Sequence, residues 1–148
     1  MKLTLNQINQ GEEEVIINYL EMNETVKDII TCVNGKERRI GGWKDDREYL
    51  IPVGDILYAE SVDRGTFAYT LEAVYKISFI LNKIEQEFAY RGFFRCSKSM
   101  VINIHMIDEL KSESGGRIDA LLLNGEHVMI SRRYAKALRR VLRGENYE

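Results

Sequence analysis

The spacing of apolar positions changes at about residue 36. Before it, "EVIINYL" (14–20) is a β-branched run with strand character. "NETVKDIITCV" (23–33) places Val26, Ile29, Ile30 and Val33 on one helical face, with Asn23 as N-cap and Asn34-Gly35 as the stop. Residues 2–33 therefore predict a strand-strand-helix appendage. After residue 36 the period is two: "REYLIPV", "ILYAES", "TFAYTL" and "VYKISF" alternate or run wholly apolar between turn signals. A helix is expected at 80–90, where Leu81, Ile84 and Phe88 form the buried stripe and Gly92 closes it. "MIDELKSE", "RIDALLL" and "EHVMI" are three further strands, with Asn124-Gly125 as a hairpin turn. "SRRYAKALRRVL" is a last helix, capped by Ser131, with Tyr134, Leu138, Val141 and Leu142 inward and Arg139, Arg140 and Arg143 suiting its C-terminal dipole.

Short strands with two helices among them predict a mainly β core and not the alternation of a parallel α/β enzyme. "FRCSKSMVIN" (94–103) stands apart, because Ser97-Lys98-Ser99 is pressed directly against the apolar run Met100-Val101-Ile102. A cationic, hydroxyl-rich stretch pinned to a core is one held rigid for contact.

The totals place the chain in a class without naming a function. Its 148 residues, 45% hydrophobic with a single proline, suit one globular domain with a small appendage. No apolar run approaches the roughly 18 residues of a membrane span, and the N-terminus has no signal-peptide core, so a cytoplasmic location is expected. Cys32 and Cys96 read as two reduced thiols. The net charge of −2 hides an asymmetry: residues 1–90 carry 10 Lys+Arg against 16 Asp+Glu, and residues 91–143 carry 11 against 5. An acidic front and a basic back suit a chain with one face toward a polyanion.

No enzyme constellation is legible. His105 and His127 have no Cys or carboxylate at metal-ligand spacing, and there is no P-loop, GxSxG or GxGxxG. Asp45-Asp46 and Asp108-Glu109 read as solvated surface, and Asp63 as a turn residue. No catalytic residue, cofactor or metal is expected. Three segments instead carry cationic and hydroxyl side chains beside something rigid: "VDRGT" with Arg64 and Thr66, "RCSKS" with Arg95, Ser97, Lys98 and Ser99, and "SRRYAK" with Arg132, Arg133 and Lys136 at a helix start. They form one nucleic-acid interface only if they share a face.

"FFRCSKSMVINIHMIDEL" followed by "GEHVMISRRYAKAL" resembles a LytTR-type DNA-binding domain. Phe94, Arg95, Ser99, Ile102-Asn103, Ile107, Ser131, Arg132 and Arg133 fit the family's pattern, and "GDILYAESVDRGTFAYT" is similar to its first core strands. The resemblance covers about residues 36–143, leaving 1–35 as the appendage and 144–148 as a tail. It implies an elongated core of small packed antiparallel sheets with a few short helices. It also implies binding to direct-repeat promoter sites, with loops entering successive major grooves of double-stranded DNA and bending it. Carried over by position, Arg64 to Thr66, Ser97 to Ser99 and Arg133 are contact points.

Ser97 stands where the family usually has His, Lys98 where Arg is common, and Met100 in place of an aromatic. Lysine lacks the planar fork of arginine, so these departures bear on which sequence is read. The chain resembles stand-alone members without a receiver domain, whose genes often neighbour one for a small membrane protein that restrains the regulator. Residues 1–33 are expected to serve partner contact or homodimerisation on DNA, or else to cover a sheet edge. The competing reading is a protein-interaction module that antagonises another regulator.

Overall fold

A computed structural model describes residues 1–34 and 38–144. The chain packs as two compact units, 1–36 and 37–148. In the first, α1 (Glu24–Asn34) starts where Asn23 accepts a hydrogen bond from the Val26 N–H at 3.0 Å. Val26 is buried, while Val33 on the same face is exposed. Residues 1–23 form no strand, contrary to the strand-strand-helix expectation. Val15 and Ile16 are exposed, and β propensity makes no ladder without a neighbouring strand. The Gly35 stop and the tail from 145 lie outside the described residues.

The second unit is mainly β. Its larger sheet is antiparallel and seven-stranded, built from β1 (Arg39–Lys44), β2 (Arg47–Pro52), β3 (Ile56–Val62), β4 (Gly65–Thr70), β5 (Val74–Ile77), β6 (Phe93–Ser97) and β7 (Met100–Asn103) in the order β2-β1-β5-β4-β3-β7-β6. A three-stranded sheet, β8 (Ile107–Ser112), β9 (Ile118–Leu122) and β10 (His127–Ile130), is ordered β10-β9-β8. Helices α2 (Leu81–Phe88) and α3 (Arg132–Leu142) complete it.

The strands feed two cores, with the period of two in β3 broken by a register shift between Ile56 and Tyr58. Ile56 and Ala59 of β3 and Val101 of β7 pack with Leu81, Ile84 and Phe88 of α2. Leu57 and Tyr58 of β3 and Ile102 of β7 pack with Ile118, Leu122 and Ile130 of the smaller sheet and Leu138 of α3. β3 is thus buried on both faces. Tyr58 stacks on Tyr69 with centroids 4.4 Å apart and donates to Glu126 Oε2 at 2.8 Å, tying the β9–β10 connection to the large sheet. Burial first, then that hydrogen bond, holds the Tyr58 phenol far above its usual range.

Candidate nucleic-acid interface

Strand register decides which turns meet. β3 runs toward the two-residue turn Asp63-Arg64, closed by Val62 opposite Gly65, and Asp63 takes φ 53. β6 and β7 form a second hairpin, Ser97 opposite Met100 with Lys98-Ser99 at the tip. "FRCSKSMVIN" is therefore a hairpin, with Met100 to Asn103 as its second strand. β3 pairs antiparallel with β7, Glu60 opposite Met100, so both turns leave the sheet at the same end. One step further out, the Ser61 N–H donates to the Ser99 carbonyl at 2.9 Å.

A second main-chain bond brings in α3. The β6–β7 register shifts between Arg95 and Ser97, leaving Cys96 as the extra residue of a bulge. Its side chain enters the second core, where burial pushes the thiol up to about 12. Its carbonyl accepts the Ser131 N–H at 2.9 Å, just before α3. Ser131 occupies the N-cap position, but its hydroxyl makes no capping bond. The β8–β9 connection lies beside the same helix start: a Cβ on Gly116 would come 2.9 Å from Arg132 Cγ.

The three sequence segments thus converge, though not every residue in them faces out. Arg64, Lys98, Ser99, Arg132, Arg133 and Lys136 are exposed, and Ser97 is half-buried. Arg64, Lys98, Arg132 and Lys136 carry no ion pair among the described residues. The Arg133 guanidinium stacks on Tyr134, 5.4 Å from the ring centroid, which holds a long side chain in place. Thr66 is 7% exposed and paired within the sheet, so its hydroxyl is closed to a ligand, against the expectation. Arg95 is turned inward: Nε donates to the Ser97 carbonyl at 2.8 Å, Nη1 to Asn82 Oδ1 at 2.9 Å, and Nη2 to the Lys98 carbonyl.

Sequence reading missed two neighbouring cations, Lys76 and Arg117. A Cβ on Gly65 would lie 3.4 Å from Lys76 Cε, beside the Arg64 turn, and Arg117 follows the Gly116 turn near Arg132. Strand alternation puts Lys76 on the solvent side, but only the order of β5, β4 and β3 shows which turn it joins. Asn82 and Glu85 were missed too, since α2 is legible only through its apolar stripe.

Nothing comparable surrounds the histidines. His127 Nδ1 lies 3.0 Å from Asp119 Oδ2 on the surface, and no cluster of three metal-ligating side chains occurs among the described residues. Neither the cleft lined by Tyr49, Leu71 and Met106 nor that lined by Phe93, Ile104 and Val141, each of about 400 Å³, includes His105 or His127. Among the described residues no helix is long and apolar enough to cross a membrane.

Comparison with known proteins gives a consistent answer. Residues 46–143 match the LytTr DNA-binding domain profile. An uncharacterized HTH-type transcriptional regulator of Staphylococcus aureus strain NCTC 8325 is 30% identical over 142 residues, covering 94% of this chain and 96% of its own. Its counterpart in strain MW2 is 31% identical over 143 residues with the same coverage. A LytTr DNA-binding domain from Bacillus cereus superposes with a TM-score of 0.68 at 23% identity, over 72% of this chain and 97% of that domain, which shows a shared fold. A mainly β unit with three cationic segments at one end and this profile match has one reading: the chain belongs to the LytTR family of DNA-binding domains.

Proposed function

We propose that this protein is a sequence-specific transcriptional regulator that recognises direct-repeat promoter sites in double-stranded DNA. The turns at Arg64 and Lys98 and the start of α3 enter the major groove. The observation that carries the reading is the pair of main-chain bonds, Ser61 to Ser99 and Cys96 to Ser131, which hold three cationic segments at one end of the fold. Turns, not a recognition helix, suit this chain, because α2 and α3 are separated by five strands. Lys98 and Arg133 contact bases; Arg64, Arg132 and Lys136 neutralise phosphates; Ser97 and Ser99 supply hydrogen bonds at the groove edge. The first turn of α3, where N–H groups lack intrahelical acceptors, also suits phosphate. The protein works in the cytoplasm as a non-enzymatic regulator without a cofactor.

Fluorescence anisotropy on duplexes tiled across the protein's own promoter, at two salt concentrations, tests the reading. The wild type should select one duplex, and Lys98→Ala and Arg133→Ala should each lose about 1–3 kcal/mol of binding on it. Equal weak binding to all duplexes would reject sequence-specific regulation. The second reading, a protein-interaction module acting on another regulator, draws on the apolar side chains exposed in residues 1–23, Leu3, Leu5 and Leu20 among them.

A further inference from the structure

We infer that Asn82 and Glu85 of α2, acting through Arg95, set the conformation of the Lys98 turn and are positioning residues for DNA recognition. The inference rests on the proposed reading of that turn as a DNA contact. The Arg95 side chain is 15% exposed and lies between the helix and the turn. On the helix side, Nη1 donates to Asn82 Oδ1 at 2.9 Å and faces Glu85 Oε2 at 3.4 Å. On the turn side, Nε donates to the Ser97 carbonyl at 2.8 Å and Nη2 to the Lys98 carbonyl.

One planar cation therefore holds two consecutive carbonyls while α2 holds the cation. Only arginine has the donors for this, five N–H groups in a fixed fork, whereas the three of a lysine radiate from a point. The rest of the turn is tied as well: the Ser99 N–H donates to Ser97 Oγ at 3.3 Å, and the Ser99 carbonyl accepts from Ser61. The exposed side chain of Lys98 is thus carried on a backbone fixed from both sides. A backbone so held narrows the positions from which the Lys98 ammonium can reach a base edge, which favours selectivity over bare affinity. Arg95, with each of its three nitrogens donating to a protein acceptor, is assigned to holding the turn and not to neutralising a phosphate.

Titrations of the full chain on its selected duplex and a scrambled one, at two salt concentrations, separate these roles. The variants are Asn82→Ala, Glu85→Gln and Arg95→Lys, with amide exchange at Lys98 and Ser99 followed in the free protein. Asn82→Ala and Arg95→Lys should lower the ratio of specific to scrambled affinity about tenfold, with scrambled affinity and salt slope unchanged. Exchange at Lys98 and Ser99 should accelerate in both. Glu85→Gln should move the same readouts less, since that carboxylate is half-exposed and more distant. Asn82 is an exposed helix position, so its variant folds even where Arg95→Lys does not. Wild-type behaviour of both Asn82→Ala and Arg95→Lys would overturn the inference. So would a uniform affinity loss with a salt slope reduced by about one, which marks a phosphate contact. If the wild type prefers neither duplex, the DNA reading fails by itself; accelerated exchange in Asn82→Ala then upholds the turn-holding role, and unchanged exchange overturns it.

Discussion

Asn103 is 2% exposed, and both ends of its amide are used. Nδ2 donates to the Ile56 carbonyl at 2.9 Å, joining β7 to the start of β3, and Oδ1 accepts the His105 N–H at 3.1 Å. Asn103→Ala leaves a buried carbonyl unsatisfied, a cost of about 1–3 kcal/mol. The urea midpoint should fall accordingly with an unchanged slope, while the folded variant selects the same duplex; an unmoved midpoint would show the amide dispensable. Residue identity was legible at this scale, but orientation was not. Thr66 looked available because "VDRGT" reads as a turn, yet it shares the parity of Ala68, and both are buried. The sheet turns these small residues inward and leaves Phe67 and Tyr69 half-buried, reversing the usual sign of the hydrophobic pattern. Arg95 was legible as a cation that fits the family pattern, but the acceptors that claim it come from α2 and from main chain, which no side-chain pattern displays.

Elements with a strong period were readable from the residues: β2 to β5, α2, β8 to β10 and α3 all lie where the apolar spacing puts them. β1 was not, because Gly41 and Gly42 carry no pattern. Its second glycine is a packing requirement instead, since a Cβ there would lie 2.8 Å from Tyr75 Cβ and would also meet Ile51 Cδ1. The β6–β7 hairpin was hidden by its turn, Lys98-Ser99, which lacks the Asn-Gly signature that revealed Asn124-Gly125. Residues 14–20 show the opposite failure, propensity without a partner strand. At α3 the stripe read from the sequence holds at buried Leu138 and fails at exposed Leu142, where the helix ends, while Ala135, outside that stripe, is buried and Lys136 is left in solvent. A lysine there, one turn into the helix, neutralises phosphate without reading a base. Lys136→Ala should therefore weaken binding evenly across duplexes and reduce the salt slope by about one. A changed order of preferred duplexes would assign Lys136 to base reading instead.

Cations scattered from Arg64 to Lys136 meet at one end of the second unit, and the first unit taken by itself is acidic, with 3 Lys against 6 Asp+Glu over residues 1–36. That first unit also exposes Leu3, Leu5, Val15, Ile16 and Leu20, a density of apolar side chains that a solitary solvated arm does not need. The S. aureus relatives align over 94% of this chain, so the aligned length reaches well outside the 46–143 profile match. The exposed side chains alone do not choose between a second copy and another regulator as the partner, and a deletion decides whether two copies associate on a direct repeat through residues 1–33. Association of that kind multiplies affinity for paired sites through effective concentration and leaves affinity for a single site alone. Deleting residues 1–33 should lower the mass measured by light scattering at micromolar concentration and weaken binding to a two-repeat duplex at least tenfold, with a one-repeat duplex bound as before. An unchanged mass together with an unchanged ratio between the two duplexes would reject the association. A lowered affinity for the one-repeat duplex would mean instead that the unit supports the DNA-binding fold itself.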